Sequence, residues 1–324
     1  MLLTFLLLAL LVLLGSWFAY SIAFFSPKSR HASIEDPLKG EQYDAVAEHI
    51  SRVSHIMQKY PYEEVGIESF DGKRLFGRYY HVKDGAPVEI LFHGYRSHAF
   101  RDCSGGHALS RKIGINTLVI DQRGQGSSEG HTITFGILER RDCLSWINYV
   151  CGRFGSHVPI ILSGLSMGAA TVLMSASLDL PDNIACIIAD SPYSTPSAII
   201  EKVALDQHYP VAICRPFVHL GALLYGGFRL NSCTAKEAVR HCRVPILLIH
   251  GEDDRLVPCS MSLEIAACCA SRVQVVTFPR AGHGLCYITD PVRYEQIILD
   301  FLKSVPALSD SVPDAFIKSQ NDNL

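Results

Sequence analysis

Three features of the sequence predict an α/β fold with a mostly parallel central sheet and helices on both faces. Short, β-branched and nearly continuous apolar runs occur at Val88 to Phe92, Asn116 to Ile120, Val158 to Leu162, Ile184 to Ala189, Val244 to Ile249 and Val273 to Phe278. Such runs are the mark of strands buried on both faces. Helix-length segments separate them, notably Gly136 to Val150, Ser166 to Leu178, Met261 to Ala270 and Pro291 to Lys303. Strand alternating with helix implies right-handed crossovers and parallel neighbours. One interval breaks this rhythm: Ser191 to His241 is rich in aromatics, Pro, Gly and Leu and reads as a helical insertion above the sheet.

The chain of 324 residues opens on Met1 to Pro27 without a charged side chain. As a helix, Met1 to Phe25 would be roughly 37 Å long, enough to cross a hydrocarbon core of about 30 Å. Trp17 and Tyr20 stand near its far end, and Lys28, Arg30 and His31 follow at once. A cleaved signal sequence is the alternative. It is disfavoured by the missing basic start, by the length of the apolar run and by a weak small-x-small site, Ser21-Ile22-Ala23. Residues 1–27 are therefore read as a single-pass membrane anchor. The positive charges on its C-terminal side place the domain that follows on the cytoplasmic face. The eleven cysteines, with no C-x-x-C pair and no zinc spacing, agree with a reducing compartment.

Residues 28–61 read as a linker and an amphipathic helix, with Ala47, Ile50, Val53 and Met57 at spacings of 3 and 4. The main domain is expected over 62–305. It begins with a hairpin, Glu64 to Phe70 and Arg74 to His81, turned by Asp71-Gly72. Residues 306–324 read as a loose polar tail. With 48% apolar and 19% charged residues, a net charge of −3 and a pI near 6.5, the chain suggests neither disorder nor a nucleic-acid partner.

In open parallel sheets reactive groups collect at the carboxyl ends of strands. Four endings stand out. Gly164-Leu165-Ser166-Met167-Gly168 follows a strand and leads into a small-residue helix, the strand, turn, helix context in which a nucleophilic serine projects above a sheet. Gly126-Ser127-Ser128-Glu129-Gly130 has the same spacing but lies beyond a strand end and enters no such helix, so Ser128 is read as loop.

A serine hydroxyl needs a base, and the base needs an acid to orient it. Among 14 histidines the best placed is His283, flanked by glycines after the last strand. Asp254, in the loop after Ile249, is preferred as the acid over Glu252, Asp253 and the more distant Asp190. His250 reads as structural. The backbone N–H groups of Tyr95, in the loop after Phe92, and of Met167 would form an oxyanion hole.

With these residues in view the sequence resembles an α/β-hydrolase of the bacterial serine aminopeptidase-like and small-esterase branch, over about residues 62 to 305. The signatures are HGY at 93–95, DQRGQGSSEG at 121–130, GLSMG at 164–168, HGEDDRLVP at 250–258 and AGHG at 281–284. The resemblance implies the triad order Ser166, Asp254, His283, a structural loop around Asp121, Arg123 and Gly124, and a lid over about 191–241 bearing the acyl pocket. Within that lid Tyr193, Phe217 and Leu224 are the expected pocket residues. The function expected is hydrolysis of a carboxylic ester, small-molecule or lipid, with no metal or organic cofactor. A peptidase or thioesterase on the same triad, or a non-catalytic binding scaffold, are the rivals.

Overall fold

The computed structural model describes residues 1–36 and 40–313. In chain order, an apolar helix α1 (Leu2–Ala23) and two short cap helices, α2 (Glu41–Asp44) and α3 (Ala47–Lys59), precede the hairpin β1 (Glu63–Glu68) and β2 (Arg74–Tyr80). The alternating part runs β3 (Val88–Phe92), α4 (Ala99–Asp102), α5 (Ser104–Lys112), β4 (Asn116–Ile120), α6 (Glu139–Phe154), β5 (Ile160–Leu165), α7 (Met167–Ser175) and β6 (Ile184–Asp190). The insertion supplies α8 (Pro196–Asp206), α9 (Val211–Leu224) and α10 (Ala235–Ala238). The chain then returns through β7 (Ile246–Gly251), α11 (Ser260–Cys268), β8 (Val273–Phe278), α12 (Cys286–Thr289) and α13 (Pro291–Lys303).

The eight strands lie in the order β1-β2-β4-β3-β5-β6-β7-β8. The hairpin is antiparallel and pairs antiparallel with β4, whereas all later neighbours are parallel. Side-chain alternation gives the sheet two covered faces, with a smaller third cluster of Met57, Tyr80, Leu91, Phe100 and Val119 near the hairpin. Ile90, Phe92, Ile160, Leu162, Ile187 and Leu248 share a first core with residues of α6, α7 and α11, while Ile161, Ile188, Leu247 and Ile249 share a second core with residues of α13. The runs are apolar throughout because both faces are covered.

Three differences from the sequence reading have physical causes. Helix α5 was not anticipated, because Gly105-Gly106 and scattered polar residues in SGGHALSRK mask its periodicity. The described part of the expected tail, 306–313, turns back and buries Leu308 and Val312 in the second core, so the packed unit extends past 305. The rest of that segment, 314–324, lies outside the described residues.

The third difference concerns α1, which is more than a tether. Its first half is exposed, but Ser16, Tyr20 and Phe24 are buried against the domain. The Tyr20 hydroxyl bonds Thr132 at 2.6 Å, and Phe24 stands edge-on to Phe135 and Phe228. Helix α9 crosses close by: a Cβ on Gly221 would lie 2.5 Å from the carbonyl oxygen of Ser16, and the Phe217 ring lies against Gly15. Just beyond the helix, Phe25 forms an antiparallel bridge with Thr132.

Candidate active site

Ser166 sits between the end of β5 and the first turn of α7 with φ 56° and ψ −114°, a conformation that strains a non-glycine residue. The surroundings hold it there. Its N–H donates to the carbonyl of Asp190 at 2.8 Å, and its carbonyl accepts from Ala170 N–H at 3.0 Å. The two glycines of the motif are demanded by contact distance. A Cβ on Gly164 would lie 2.3 Å from the carbonyl carbon of Gly168, and one on Gly168 would lie 2.1 Å from the carbonyl oxygen of Phe92. Side chains at either position would force α7 off the sheet, so the turn is as sharp as it is only because both are absent.

His283 and Asp254 meet from two loops after β8 and β7. The imidazole Nδ1 lies 2.7 Å from Asp254 Oδ2, and because a carboxylate accepts, Nδ1 carries the proton and Nε2 is left basic. Asp254 Oδ1 accepts from the N–H groups of Leu256 at 2.9 Å and Val257 at 2.8 Å. Burial alone would raise this carboxyl, but the hydrogen bonds from His250 and His283 outweigh it and bring its pKa down to about 2. His250 is placed as the sequence suggested. It is fully buried, with Nε2 2.8 Å from the carbonyl of Val257 and 3.2 Å from Asp254 Oδ2 and with Nδ1 2.6 Å from the Ser262 hydroxyl, and so braces the Asp254 loop.

Two of the three competing acids, Glu252 and Asp190, are occupied elsewhere. Glu252 accepts from the Thr277 hydroxyl, and buried Asp190 accepts from Ser191 at 2.9 Å and Tyr294 at 3.1 Å. Ser128 is buried, accepts from Phe76 N–H at 2.9 Å and donates to the carbonyl of Asp121 at 2.5 Å. That loop is clamped by Arg78 on Asp121 and by Arg123 on Asp142 and Asp71. The second G-x-S-x-G is therefore a structural knot.

Ser166, His283, Gly94 and Tyr95 line one cavity of about 320 Å³. A Cβ on Gly94 would lie 3.5 Å from the Cβ of Ser166, so the 93–95 loop and the first turn of α7 flank the serine from two sides. Gly94 N–H is taken by Asp102 at 2.8 Å, and His93 is a buried support that accepts from Gln122 N–H at 3.1 Å. The Tyr95 ring stacks on Phe135, its hydroxyl donating to the carbonyl of Ala23 at 2.8 Å.

Two placements differ from expectation. Tyr193, Phe217 and Leu224 do not line this cavity: Tyr193 is buried beside Phe135, Phe217 packs on Gly15 of α1, and Leu224 is half exposed. Part of the apolar inventory of the lid serves the contact of α9 with α1. Conversely, Gln42 and Tyr43 of α2 reach His283, a contact that no sequence signal marks because both stand in a polar stretch.

Residues 87–211 match the family model described as serine aminopeptidase, S33, and residues 213–285 match that of serine hydrolase (FSH1). The protein YqkD of Bacillus subtilis is 24% identical over 229 residues, covering 70% of this chain and 75% of the relative. The lysophosphatidylserine lipase ABHD12 of Danio rerio is 25% identical over 202 residues, 59% of this chain and 51% of that protein. Among solved structures, the Pyrococcus furiosus esterase Pf2001 superposes with a TM-score of 0.64 at 21% identity, covering 83% of this chain and 97% of the esterase.

Proposed function

We propose, from the premise that the chain is an α/β-hydrolase, that it is a serine esterase in which Ser166, His283 and Asp254 carry the reaction. In this reading Ser166 Oγ attacks the carbonyl carbon of a carboxylic ester while His283 Nε2 takes its proton. The N–H groups of Tyr95 and Met167 stabilise the oxyanion, a contribution of about 3 kcal/mol per donor. His283 returns the proton to the departing alcohol. Water, deprotonated by the same imidazole, then releases the acid and restores Ser166. Asp254 holds the imidazolium throughout, and the sequence of steps calls for no cofactor.

The observation that carries this reading is the 2.7 Å bond from His283 to Asp254 at the edge of the cavity that the strained Ser166 also lines. Covalent labelling with a fluorophosphonate tests it. Wild type is expected to label and to hydrolyse p-nitrophenyl esters, and Ser166→Ala to do neither. Full ester hydrolysis by Ser166→Ala would overturn the assignment.

Placement follows from α1, which is long and apolar enough to cross a membrane by length and composition, a test that a signal sequence also passes. The reading advanced is a retained single-pass anchor with the catalytic domain on the cytoplasmic face and an ester of apolar character as substrate. Alkylation of domain cysteines by a membrane-impermeant reagent in intact cells would contradict that topology.

A further inference from the structure

The cavity beside Ser166 does not end at the serine. It continues as a gallery along the sheet face covered by α5 and α13, with Leu109 and Ser110 on one side and Ile298 and Leu302 on the other. Ile188 of β6 forms part of its floor. At the far end lies Glu89, buried, whose carboxyl accepts from the hydroxyls of Ser110 and Ser163. The strand register sets Glu89 opposite Ile161, and so about 16 Å down β5 from Ser166 at ~3.3 Å per residue.

Room and chemistry agree on one kind of occupant. At ~30 Å³ per water-sized group, the 320 Å³ of the whole cavity corresponds to about ten such groups, shared between the mouth beside Ser166 and the gallery. The walls of the deep part are chiefly aliphatic, which suits methylenes. The titratable groups there, Glu89 and Asp190, are acids, and the aliphatic walls around them offer no cation to pair with a phosphate or a second carboxylate. Burial also raises the pKa of both carboxyls. Glu89 and its two serines satisfy one another, so a chain that reaches them meets a closed polar stop.

We propose that the acyl chain of the substrate enters this gallery between α5 and α13, rather than the lid, and that Leu109 and Ile298 limit it to medium-length acyl esters. The inference rests on the esterase reading and adds to it where the acyl group goes. Of the lid residues expected in that role, Phe217 packs on Gly15 of α1, Tyr193 lies beside Phe135, and Leu224 is half exposed.

The test is kcat/KM of the full chain in detergent for p-nitrophenyl esters from acetate to palmitate. Wild type is expected to peak near octanoate or decanoate. Leu109→Trp and Ile298→Trp are each expected to lose at least about tenfold on decanoate and to stay within about twofold on acetate, because added bulk excludes only chains that reach it. Leu302→Ala, which enlarges the far end, is expected to move the peak toward longer esters. Tyr209→Ala, on the exposed part of the lid, should leave the profile in place. Unchanged profiles in both tryptophan variants, with melting temperature and fluorophosphonate labelling preserved, would overturn the inference alone. So would a profile that moves with Tyr209→Ala. A wild type that neither labels nor hydrolyses any ester would overturn the esterase reading and the gallery together.

Discussion

The Tyr43 hydroxyl donates to the backbone carbonyl of His283 at 3.1 Å, across 240 positions of sequence. The neighbouring Gln42 accepts from the N–H of the same residue through its side-chain oxygen at 3.0 Å. Burial pushes the Tyr43 hydroxyl well above the usual phenol range, so it remains a donor at any working pH. The segment between the apolar helix and the first strand thus grips both backbone groups of His283 and, through Tyr43, His49, Ile50 and Val53, roofs part of the cavity.

Loosening that grip should slow turnover without redirecting specificity. Tyr43→Phe and Gln42→Ala each remove one neutral hydrogen bond of about 1 kcal/mol, which corresponds to roughly fivefold in kcat/KM. Steady-state kinetics on a short and a medium ester check this, with both substrates falling by the same factor. Wild-type rates in both variants would mean that the strap does not position the imidazole.

Asp254 should leave a signature in acid stability. Its carboxyl is held at about 2 in the folded protein, below its usual value near ~3.9. A depressed folded pKa gives stability that is complete above the unfolded value and is lost as pH falls through the folded one. The stability at stake is roughly 2 kcal/mol, disappearing between about pH 4 and pH 2. Urea unfolding against pH should therefore show a shallower acid limb for Asp254→Asn than for wild type. Parallel limbs would contradict the assigned shift.

The two G-x-S-x-G sequences should separate cleanly in one pair of variants. Ser128→Ala removes a donor and an acceptor buried between β2 and the Asp121 loop, at a cost of about 1–3 kcal/mol in stability. Fluorophosphonate labelling of the folded fraction should survive in Ser128→Ala and vanish in Ser166→Ala. Loss of labelling in folded Ser128→Ala would place the nucleophile elsewhere.

Gly168→Ala should be among the most damaging single-methyl additions in the molecule. The new carbon has backbone, rather than a flexible side chain, as its neighbour at 2.1 Å. Overpacking usually costs about 1–3 kcal/mol, and a clash of backbone on backbone belongs at or above the upper end. Thermal unfolding checks it; a change in midpoint below that for Gly152→Ala, where nothing lies within 4 Å, would refute the close-approach argument.

The strands were legible because burial on both faces leaves an unbroken apolar run, and the loops that carry the candidates Ser166, His283 and Asp254 because each follows such a run within a few residues. β3, β8 and α13 fall on the bounds read from sequence alone. What escaped depends on contacts between distant segments. The amphipathic stretch holding α3 was visible, yet nothing in Glu41-Gln42-Tyr43-Asp44 says that this turn reaches His283. The lid looked like an acyl pocket because aromatic and aliphatic residues read alike whether they face a substrate, the sheet or another helix. Phe217 faces α1, and only the fold reveals it. The gallery was hidden for a related reason: Leu109 and Ser110 belong to a helix whose paired glycines conceal it.

The meeting of Gly15 with Phe217 and of Gly221 with Ser16 also bears on how the chain matures. Arg96 donates to the carbonyls of Ile22 and Phe25, and Tyr95 to that of Ala23, so the backbone at the end of the apolar helix serves as an acceptor rail for the very loop that flanks Ser166. A peptidase cutting after Ala23 would carry off two of those acceptors and bare the side of α9 that Ser16 and Tyr20 cover. Excision there would alter the catalytic half of the molecule as well as its address, which makes the first twenty-odd residues a component of the enzyme rather than its label.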